Sequence, residues 1–244
     1  MQKRWVLKSK NNVNKSNKLR DELGVSSVVA DLLLHRDIET FEEARLFFRP
    51  SLSLLHDPFL MKDMELAISR IEKAIGNKEK ILIYGDYDVD GTTAVSVVYS
   101  FFREFHTGIE FYIPDRYAEG YGISTQGIDY AAAHGFSLII ALDCGIKAVD
   151  KVAYALSKNI DFIIGDHHLP GDEIPSAVAV LDPKRRDCEY PYKELSGCGI
   201  GFKIIQAFIQ KNQMDMQLAY QYLDLVAVSI ASDIVPITGE NRIL

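Results

Sequence analysis

Acidic and histidine side chains follow several short apolar runs of this chain, and their types point to one kind of chemistry. Hard divalent cations bind clusters of carboxylate oxygens, and Mn²⁺ also accepts imidazole nitrogen. An ordinary core does not need such clusters, because a buried unpaired carboxylate is costly. The pattern predicts a metal-dependent phosphoester hydrolase. The runs are Gly85-Asp86-Tyr87-Asp88-Val89-Asp90-Gly91, Leu142-Asp143-Cys144-Gly145, Gly165-Asp166-His167-His168 and Ser232-Asp233.

The first run places carboxylates at alternate positions, Asp86, Asp88 and Asp90. In an extended segment these side chains point the same way. Three carboxylates so close repel one another and raise each other's pKa unless a cation neutralises them. A structural alternative is a helix N-terminus capped by Asp90, with Asp86 and Asp88 in solvent. A calcium-binding EF-hand loop is excluded, because Val97 stands where that loop needs a glutamate.

The remaining acidic runs offer further ligands. Asp143 follows five apolar residues. It either bridges metal ions or caps the next helix, because a carboxylate there is costly to bury alone. Asp166, His167 and His168 combine a carboxylate with two imidazoles, a set that suits ion binding and stabilisation of a phosphate. Asp233 stands near the end of an apolar helical pattern, where a merely polar residue also fits.

Two glycine-containing runs are candidate phosphate contacts. Gly197, Gly199 and Gly201 precede a predicted helix and could present backbone N–H groups to a phosphate at its N-terminus. Arg116 and Tyr121 belong to a loop that joins a guanidinium to aromatic rings, which suits phosphate contact and base stacking. An ordinary surface loop is the alternative. Neither a P-loop nor the spacing of a dinucleotide-binding loop occurs.

The elements around these runs must position them. From residue 80 onward, short apolar runs alternate with helical patterns, which predicts an α/β fold with a mostly parallel sheet flanked by helices. Sites in such sheets form beyond the carboxyl ends of the strands, so we expect the runs to converge at one edge. Strands are predicted at 81–84, 111–113, 138–142, 162–164 and 178–181. Helices are predicted at 92–105, 126–133, 148–158, 202–210 and 216–231.

Residues 1–78 carry no catalytic cluster and are predicted to form an N-terminal helical extension before a catalytic domain at 79–244. Helices are expected at 26–34, 41–48 and 64–75, and Thr40 with Glu43 resembles a capping box. Residues 1–20 hold seven lysines and arginines and no acid. Such a segment is either a basic arm that helps hold a polyanion or a solvated, partly disordered terminus.

Composition narrows the class of protein. The chain has 244 residues, 48% of them hydrophobic, which is enough for a full core in one or two domains. No apolar run has the length of a membrane span, and the first residues lack the apolar stretch of a signal peptide, so we expect a cytoplasmic protein without membrane contact. The three cysteines form no CxxC pair, which favours reduced thiols. The net charge of −7 argues against a uniformly basic nucleic-acid binder.

Taken together, the motifs resemble the DHH phosphoesterase superfamily, named for Asp-His-His, and within it the RecJ-like exonucleases. The resemblance extends over nearly the whole chain. It also includes Glu119-Gly120-Tyr121-Gly122, Asp182-Pro183-Lys184, Ser196-Gly197-Cys198-Gly199 and Asp233-Ile234-Val235-Pro236-Ile237-Thr238-Gly239-Glu240-Asn241-Arg242. It implies a DHH domain that holds two divalent ions, Mn²⁺ or Mg²⁺. RecJ-like proteins continue into a DHH-associated domain and an oligonucleotide-binding fold, so we expect the chain to be a fragment.

The resemblance also implies residue roles. One ion would be held by Asp86, Asp88 and Asp143. The second would be held by Asp90, Asp143, His167 and Asp233, with Asp143 as the bridge. His168 and Asp166 are the predicted catalytic residues, and His168 would contact the scissile phosphate. The predicted substrate-binding residues are Arg116, Tyr121, Gly197, Gly199 and Gly201.

The expected function is hydrolysis of single-stranded DNA from the 5′ end in DNA repair and recombination, with a helicase or a single-strand-binding protein as possible partners. Polarity comes from the resemblance alone, and carboxylates do not separate Mn²⁺ from Mg²⁺. One alternative is a phosphodiesterase acting on short oligonucleotides or cyclic dinucleotides. Another is an inactive replication scaffold, which would have lost ligands, whereas all six are present here.

Overall fold

A computed structural model describes residues 4–6, 8 and 12–244 and separates Met1–Leu54 from Leu55–Leu244. This division differs from the predicted boundary after residue 78. Apolar residues of the helix Met64–Gly76, such as Ile68 and Ile71, are fully buried in the core of the second unit. The helix is therefore part of the second unit.

The first unit contains three helices, α1 Val13–Leu23, α2 Ser27–Leu34 and α3 Phe41–Phe48, around a small core that includes Leu19 and Leu33. The capping box at the start of α3 is confirmed. A short 3₁₀ turn, Leu52–Leu54, follows.

Part of the expected basic arm is folded. Helix α1 begins within it, and the ammonium of Lys15 lies 2.6 Å from Glu39. Arg20 pairs with Asp21 at 2.7 Å. Lys3 and Lys10 lie outside the described residues. The second half of the arm is therefore neither disordered nor fully available to a polyanion, because Asp21 and Glu39, which follow the arm, neutralise part of its charge.

The second unit is an α/β domain. Its strands are β1 Lys80–Gly85, β2 Ile109–Tyr112, β3 Phe136–Leu142, β4 Asp161–Gly165 and β5 Ala179–Leu181. Its helices are α4 Met64–Gly76, α5 Val89–Arg103, α6 Thr125–Ala133, α7 Val149–Ser157, α8 Gly197–Lys211, α9 Gln217–Tyr220, α10 Leu223–Ser232 and α11 Gly239–Ile243, with a 3₁₀ turn at Pro58–Leu60.

All five strands are parallel, in the order β2-β1-β3-β4-β5. Side chains of α4, α5 and α8 form the core on one face of the sheet, and side chains of α6 and α7 form the core on the other. Because both faces are covered, the strands read as continuous apolar runs. The predicted fold class is confirmed.

The register of the sheet brings four strand ends to one level. Gly85 pairs with Leu142, Leu142 with Gly165, and Gly165 with Leu181. An aspartate follows each of these residues directly, at positions 86, 143, 166 and 182. The strand order reverses between β1 and β3, where crevices form in open α/β sheets.

Two helix predictions were wrong in ways that matter for the site. Helix α8 begins at Gly197, so the glycine run is its first turn and does not precede it. Helix α5 begins at Val89, three residues before the predicted start, so Asp90 is a helical residue. The predicted helix at 216–231 is two helices, α9 and α10. Within the described residues, no helix is long and apolar enough to span a bilayer.

Candidate active site

The imidazole of His167 lies among three carboxylates. Its Nε2 atom is 3.1 Å from Oδ1 of Asp143 and 3.6 Å from Oδ2 of both Asp90 and Asp233. These residues follow β4 and β3, open α5 and end α10, so four elements converge on one point. This is the set that the resemblance implied for the second ion.

Asp143 reaches this point through an unusual backbone. It follows β3 with φ of 60°, in the left-handed region that non-glycine residues seldom occupy, and its N–H donates to Gly165 at 2.8 Å. A Cβ atom at Gly197 would lie 2.5 Å from Cβ of Asp143 and 2.6 Å from Oδ1. Glycine at 197 therefore leaves room for the Asp143 carboxylate.

The electrostatics of this cluster favour a bound cation. Burial, together with the nearby charges of Asp90 and Asp88, raises the pKa of Asp143 to about 10. Both carboxylate oxygens of Asp143, both ring nitrogens of His167 and Oδ2 of Asp86 are buried without hydrogen-bond partners. Native proteins satisfy nearly all buried polar atoms, and these atoms are all metal-ligand types. The residues present therefore fit a divalent ion.

Asp90 is held from three sides. Its carboxylate accepts hydrogen bonds from the N–H groups of Gly197 and Cys198, both at 2.7 Å, and from the hydroxyl of Ser229 at 2.6 Å. The N–H of Gly199 donates to Ser196 at 3.0 Å. The prediction that this glycine run presents free N–H groups to a phosphate is therefore corrected: the N-terminus of α8 binds a carboxylate of the chain itself. Gly201 is a packing position, where an added Cβ would lie 3.0 Å from Val98.

Asp86 and Asp88 have different surroundings. Asp86 is fully buried and accepts a hydrogen bond from the N–H of Gly122 at 3.3 Å. Asp88 is exposed and caps α5 by accepting from the N–H of Gly91 at 2.9 Å. The helix cap is thus Asp88, not Asp90 as in the structural alternative.

Ligand atoms from three or more described residues come within 4.8 Å of one another in two groups. One group is Asp143, His167 and His168, and the other is Asp90, His167 and Asp233. Asp86 and Asp88 belong to neither. The set implied for the first ion therefore stays a prediction.

Asp166 acts on His168 and not on the ion cluster. Its Oδ1 is 2.8 Å from Nδ1 of His168 and also accepts the N–H groups of His167 and His168, while its Oδ2 accepts the N–H of Ile146 at 2.8 Å. Burial alone would raise the pKa of Asp166, but these hydrogen bonds hold it below its usual range. The hydrogen bond to Asp166 in turn raises the pKa of His168. These contacts fit a residue that positions His168, and the predicted catalytic role of Asp166 stays a prediction.

A row of rings leads from the surface to His168. Nε2 of His168 lies 3.3 Å from the hydroxyl of Tyr121, whose ring meets that of Tyr87 edge to face at 6.2 Å. The guanidinium of Arg116 lies 5.1 Å from the centre of the Tyr87 ring. Two of the predicted substrate-binding residues, Arg116 and Tyr121, thus belong to one surface that reaches the predicted catalytic histidine.

Sequence reasoning assigned no role to two supporting residues. Asp182 is fully buried after β5 at the level of Asp166, and one of its oxygens has no partner. Its position directly after an apolar strand, like that of Asp143, was the available signal. Ser229 donates to Asp90, but a serine inside an apolar helix gives no such signal.

The sequence profile of the DHH family, N-terminal domain, matches residues 80–230. The chain belongs to the DHH family. Within this family it is similar to the single-stranded-DNA-specific exonuclease RecJ of Bacillus subtilis (strain 168), with 41% identity over 241 residues. The alignment covers 99% of this chain and 30% of that protein, so the chain spans under a third of that relative's length.

Solved structures of DHH-family proteins share the fold. A crystal structure of exonuclease RecJ bound to manganese matches with a TM-score of 0.70 and 27% identity, covering 79% of this chain and 47% of the other. RecJ from Thermus thermophilus in complex with Mn²⁺ matches with a TM-score of 0.79 and 23% identity, covering 96% and 33%. The second likeness supports the DHH fold alone.

Proposed function

We propose that this chain forms the catalytic domain of a two-metal-dependent exonuclease that hydrolyses single-stranded DNA from the 5′ end. One observation carries the proposal: Nε2 of His167 lies within 3.6 Å of three carboxylates, and the buried donor atoms of Asp143 and His167 lack hydrogen-bond partners. Hydrolysis of phosphodiesters by paired metal ions uses such a donor set.

The residues that would hold the ions are those named from the sequence. Asp90, Asp143, His167 and Asp233 would hold one, and Asp86 and Asp88 with Asp143 would hold the other. Bound Mn²⁺ or Mg²⁺ supplies Lewis acidity and lowers the pKa of a water. Donor atoms of Asp143 and His167 already lie 3.1 Å apart and are buried without hydrogen-bond partners.

The chain's own residues supply the contacts to the phosphate. His168 lies beside the ion cluster with a half-exposed side chain, and Asp166 fixes its ring. Because the Asp166 hydrogen bond raises the pKa of His168, the imidazolium form is favoured, and this form donates a proton or a hydrogen bond to a phosphate or a leaving oxygen. Tyr121, Tyr87 and Arg116 present aromatic faces and a cation to unpaired bases.

Similarity to known proteins supports single-stranded DNA as the substrate. The Bacillus subtilis protein is a single-stranded-DNA-specific exonuclease, and the similarity extends over nearly the whole of this chain. A role in DNA repair and recombination, a cytoplasmic location, and contact with a helicase or a single-strand-binding protein follow only from this proposed activity. A phosphodiesterase for short oligonucleotides or cyclic dinucleotides has the same donor set and is the competing outcome of the test.

The test uses the 244-residue chain with 5′-labelled and 3′-labelled DNA in Mn²⁺, in Mg²⁺ and in EDTA. We expect mononucleotide release from the 5′ end of single strands, no release from blunt duplex, and none in EDTA. His168→Gln is the matched variant, because it keeps a polar side chain of similar size. Hydrolysis of dinucleotides alone, or equal rates on duplex and single strands, would contradict the proposal.

A further inference from the structure

A cavity of about 400 Å³ lies beside His168. His168, Asp166 and Tyr121 are in its wall, but none of the six predicted metal ligands is. Lys147 and Lys151 are also in the wall, and we call this space the lysine-lined cavity. It is therefore separate from the ion cluster while sharing the histidine that is expected to face the substrate.

The wall of the cavity is connected to His168 by hydrogen bonds through Asp166. The loop after β3 contributes Gly145 and Ile146, and the N–H of Ile146 donates to Asp166, the residue that positions His168. Gly145 has φ of 112°, and an added Cβ would lie 2.9 Å from Ile123, another wall residue. The cavity is thus part of a fixed arrangement around Asp166.

The charge of the cavity favours an anion. Lys147 is exposed and has no ion-pair partner among the described residues. The ammonium of Lys151 lies 2.5 Å from the hydroxyl of Thr125, a neutral partner that leaves its charge uncancelled. The acids in the wall are Asp150, which is exposed, and Asp166, which is buried, so they equal the two lysines in number. The carboxylate of Asp166 is already engaged by His168 and Ile146.

The rest of the wall suits a ring. Ile123, Ile146 and Ala148 provide apolar surface, and Tyr121 adds an aromatic group. Small-molecule pockets measure about 300–1,000 Å³, and this volume lies at the lower end of that range. An anion joined to one ring system matches this combination, whereas two stacked nucleotides or a duplex end do not.

We propose that the lysine-lined cavity binds a single nucleotide, with Lys147 and Lys151 on its phosphate and its base against the apolar wall. The proposal rests on the proposed function, in which this nucleotide is the one released by hydrolysis. In that hydrolysis a water oxygen forms a bond to the scissile phosphorus, the bond from this phosphorus to O3′ of that nucleotide breaks, and O3′ leaves with a proton that replaces one lost by the water. A one-nucleotide cavity next to His168 would then set the product length at one nucleotide.

The first test measures binding without metal, so it does not depend on hydrolysis. Deoxyadenosine 5′-monophosphate and deoxyadenosine are titrated into the 244-residue chain in EDTA and followed by NMR. We expect the monophosphate to bind and the nucleoside to bind about tenfold more weakly, because the charged contacts to the lysines are lost. Lys147→Ala should weaken binding of the monophosphate by about the same factor.

Matched variants separate the cavity from general charge effects. Lys158→Ala removes a lysine next to the last residue of α7 that pairs with Asp129 at 3.1 Å and is outside the cavity wall, so it should bind like the unaltered chain. Ala148→Phe should fill the cavity and abolish binding. Failure of the monophosphate to bind, or equal binding by Lys147→Ala and Lys158→Ala, would overturn the cavity proposal.

The second test measures DNA hydrolysis by the same variants. Lys147→Ala and Ala148→Phe should slow release of mononucleotides, whereas Lys158→Ala, outside the cavity wall, should release them at the rate of the unaltered chain. Lysine-dependent nucleotide binding in a chain that cleaves no DNA would support the cavity and contradict the proposed function. DNA cleavage at an unchanged rate in both variants would contradict the cavity alone.

Discussion

Nε2 of His167 and Oδ1 of Asp143 lie 3.1 Å apart, yet neither atom has a hydrogen-bond partner among the described residues. At this distance, two buried polar atoms that form no hydrogen bond with each other are placed to bind the same third atom or ion. Asp90 and Asp233 approach the same imidazole nitrogen at 3.6 Å, so the third group that fits is a cation.

The first prediction concerns the charge of Asp143. Asp143→Asn should leave the metal-free chain as stable as before or more stable, because it removes a buried carboxylate beside Asp90. It should also remove stabilisation by Mn²⁺, which would otherwise be about 2.7 kcal/mol at a concentration about 100 times the Kd. Thermal melting with and without Mn²⁺ measures both effects. Asp172→Asn, at an exposed site, is the control, and an undiminished Mn²⁺ effect in Asp143→Asn would contradict the assignment.

Substitution of His167 and substitution of His168 should affect different properties, the first metal binding and the second turnover. His167→Ala should weaken Mn²⁺ binding directly, because its Nε2 faces three carboxylates. His168→Ala should keep most of the metal affinity and lower turnover by about 10²–10⁴-fold, the usual contribution of a positioned acid or base. Calorimetric titration with Mn²⁺ and rates on labelled DNA separate the two effects. Similar losses of metal affinity in both variants would mean that His168 is also a ligand, as its closeness to Asp143 would allow.

Gly197 should tolerate no side chain. In Gly197→Ala the new Cβ would lie 2.5 Å from the side chain of Asp143, so either the carboxylate or the start of α8 must move. We expect weaker Mn²⁺ binding and a loss of stability of about 1–3 kcal/mol from overpacking. Gly76→Ala, in α4 with no atom near the added Cβ, is the control and should be neutral or stabilising by up to about 1 kcal/mol. Calorimetry and urea unfolding report the two effects.

The sheet and its active edge could be predicted because both depend on local pattern. Buried parallel strands are continuous apolar runs, and the aspartates at 86, 143 and 166 follow them directly. The use of the Gly197 and Cys198 amides could not be predicted in this way. Their acceptor is Asp90, more than 100 residues earlier in the chain, and only the packing of α5 against α8 brings them together.

Charge patterning was less informative than residue type. The seven cations in residues 1–20 predicted either a basic arm or a solvated terminus, but Lys15 in α1 pairs with Glu39, which lies beyond α2 in the chain. The surroundings of Asp166 could not be predicted for a related reason. The sequence predicts a catalytic carboxylate beside two histidines, and only the structure shows that the N–H of Ile146 donates to its second oxygen.

A pH-dependent contribution to stability should come from Glu79, away from the site. Partial burial alone would raise its pKa, but hydrogen bonds from Ser137 and Arg70 hold the pKa at about 2, below the ordinary 4.5. A lowered pKa gives stability that is present above pH 4.5 and is lost as pH falls toward 2. Glu79→Gln should therefore cost up to about 3 kcal/mol at pH 7 and less at each step below pH 4.5.

Urea unfolding of Glu79→Gln and of the unaltered chain between pH 7 and pH 3 measures this difference. Glu189→Gln, at an exposed position, is the comparison and should show little change. A difference for Glu79→Gln that stays constant across this range would show that the carboxylate is not the source of the effect.

The hydrogen bonds to Asp90 decide which residue should be substituted to obtain an inactive variant that still binds its substrate. A variant that binds DNA without cleaving it must lose a side chain that coordinates the metal ion. It must also keep the native packing of the domain. Ala at Asp90 would remove the acceptor of two buried amides and of Ser229, and Asn would replace one of the two accepting oxygens by an NH2 group, at about 1–3 kcal/mol for each group left unsatisfied. Asp233, partly exposed after α10 and facing the same His167 nitrogen, has no such duty. Substitution of Asp233 would therefore remove a metal ligand without lowering the stability of the domain.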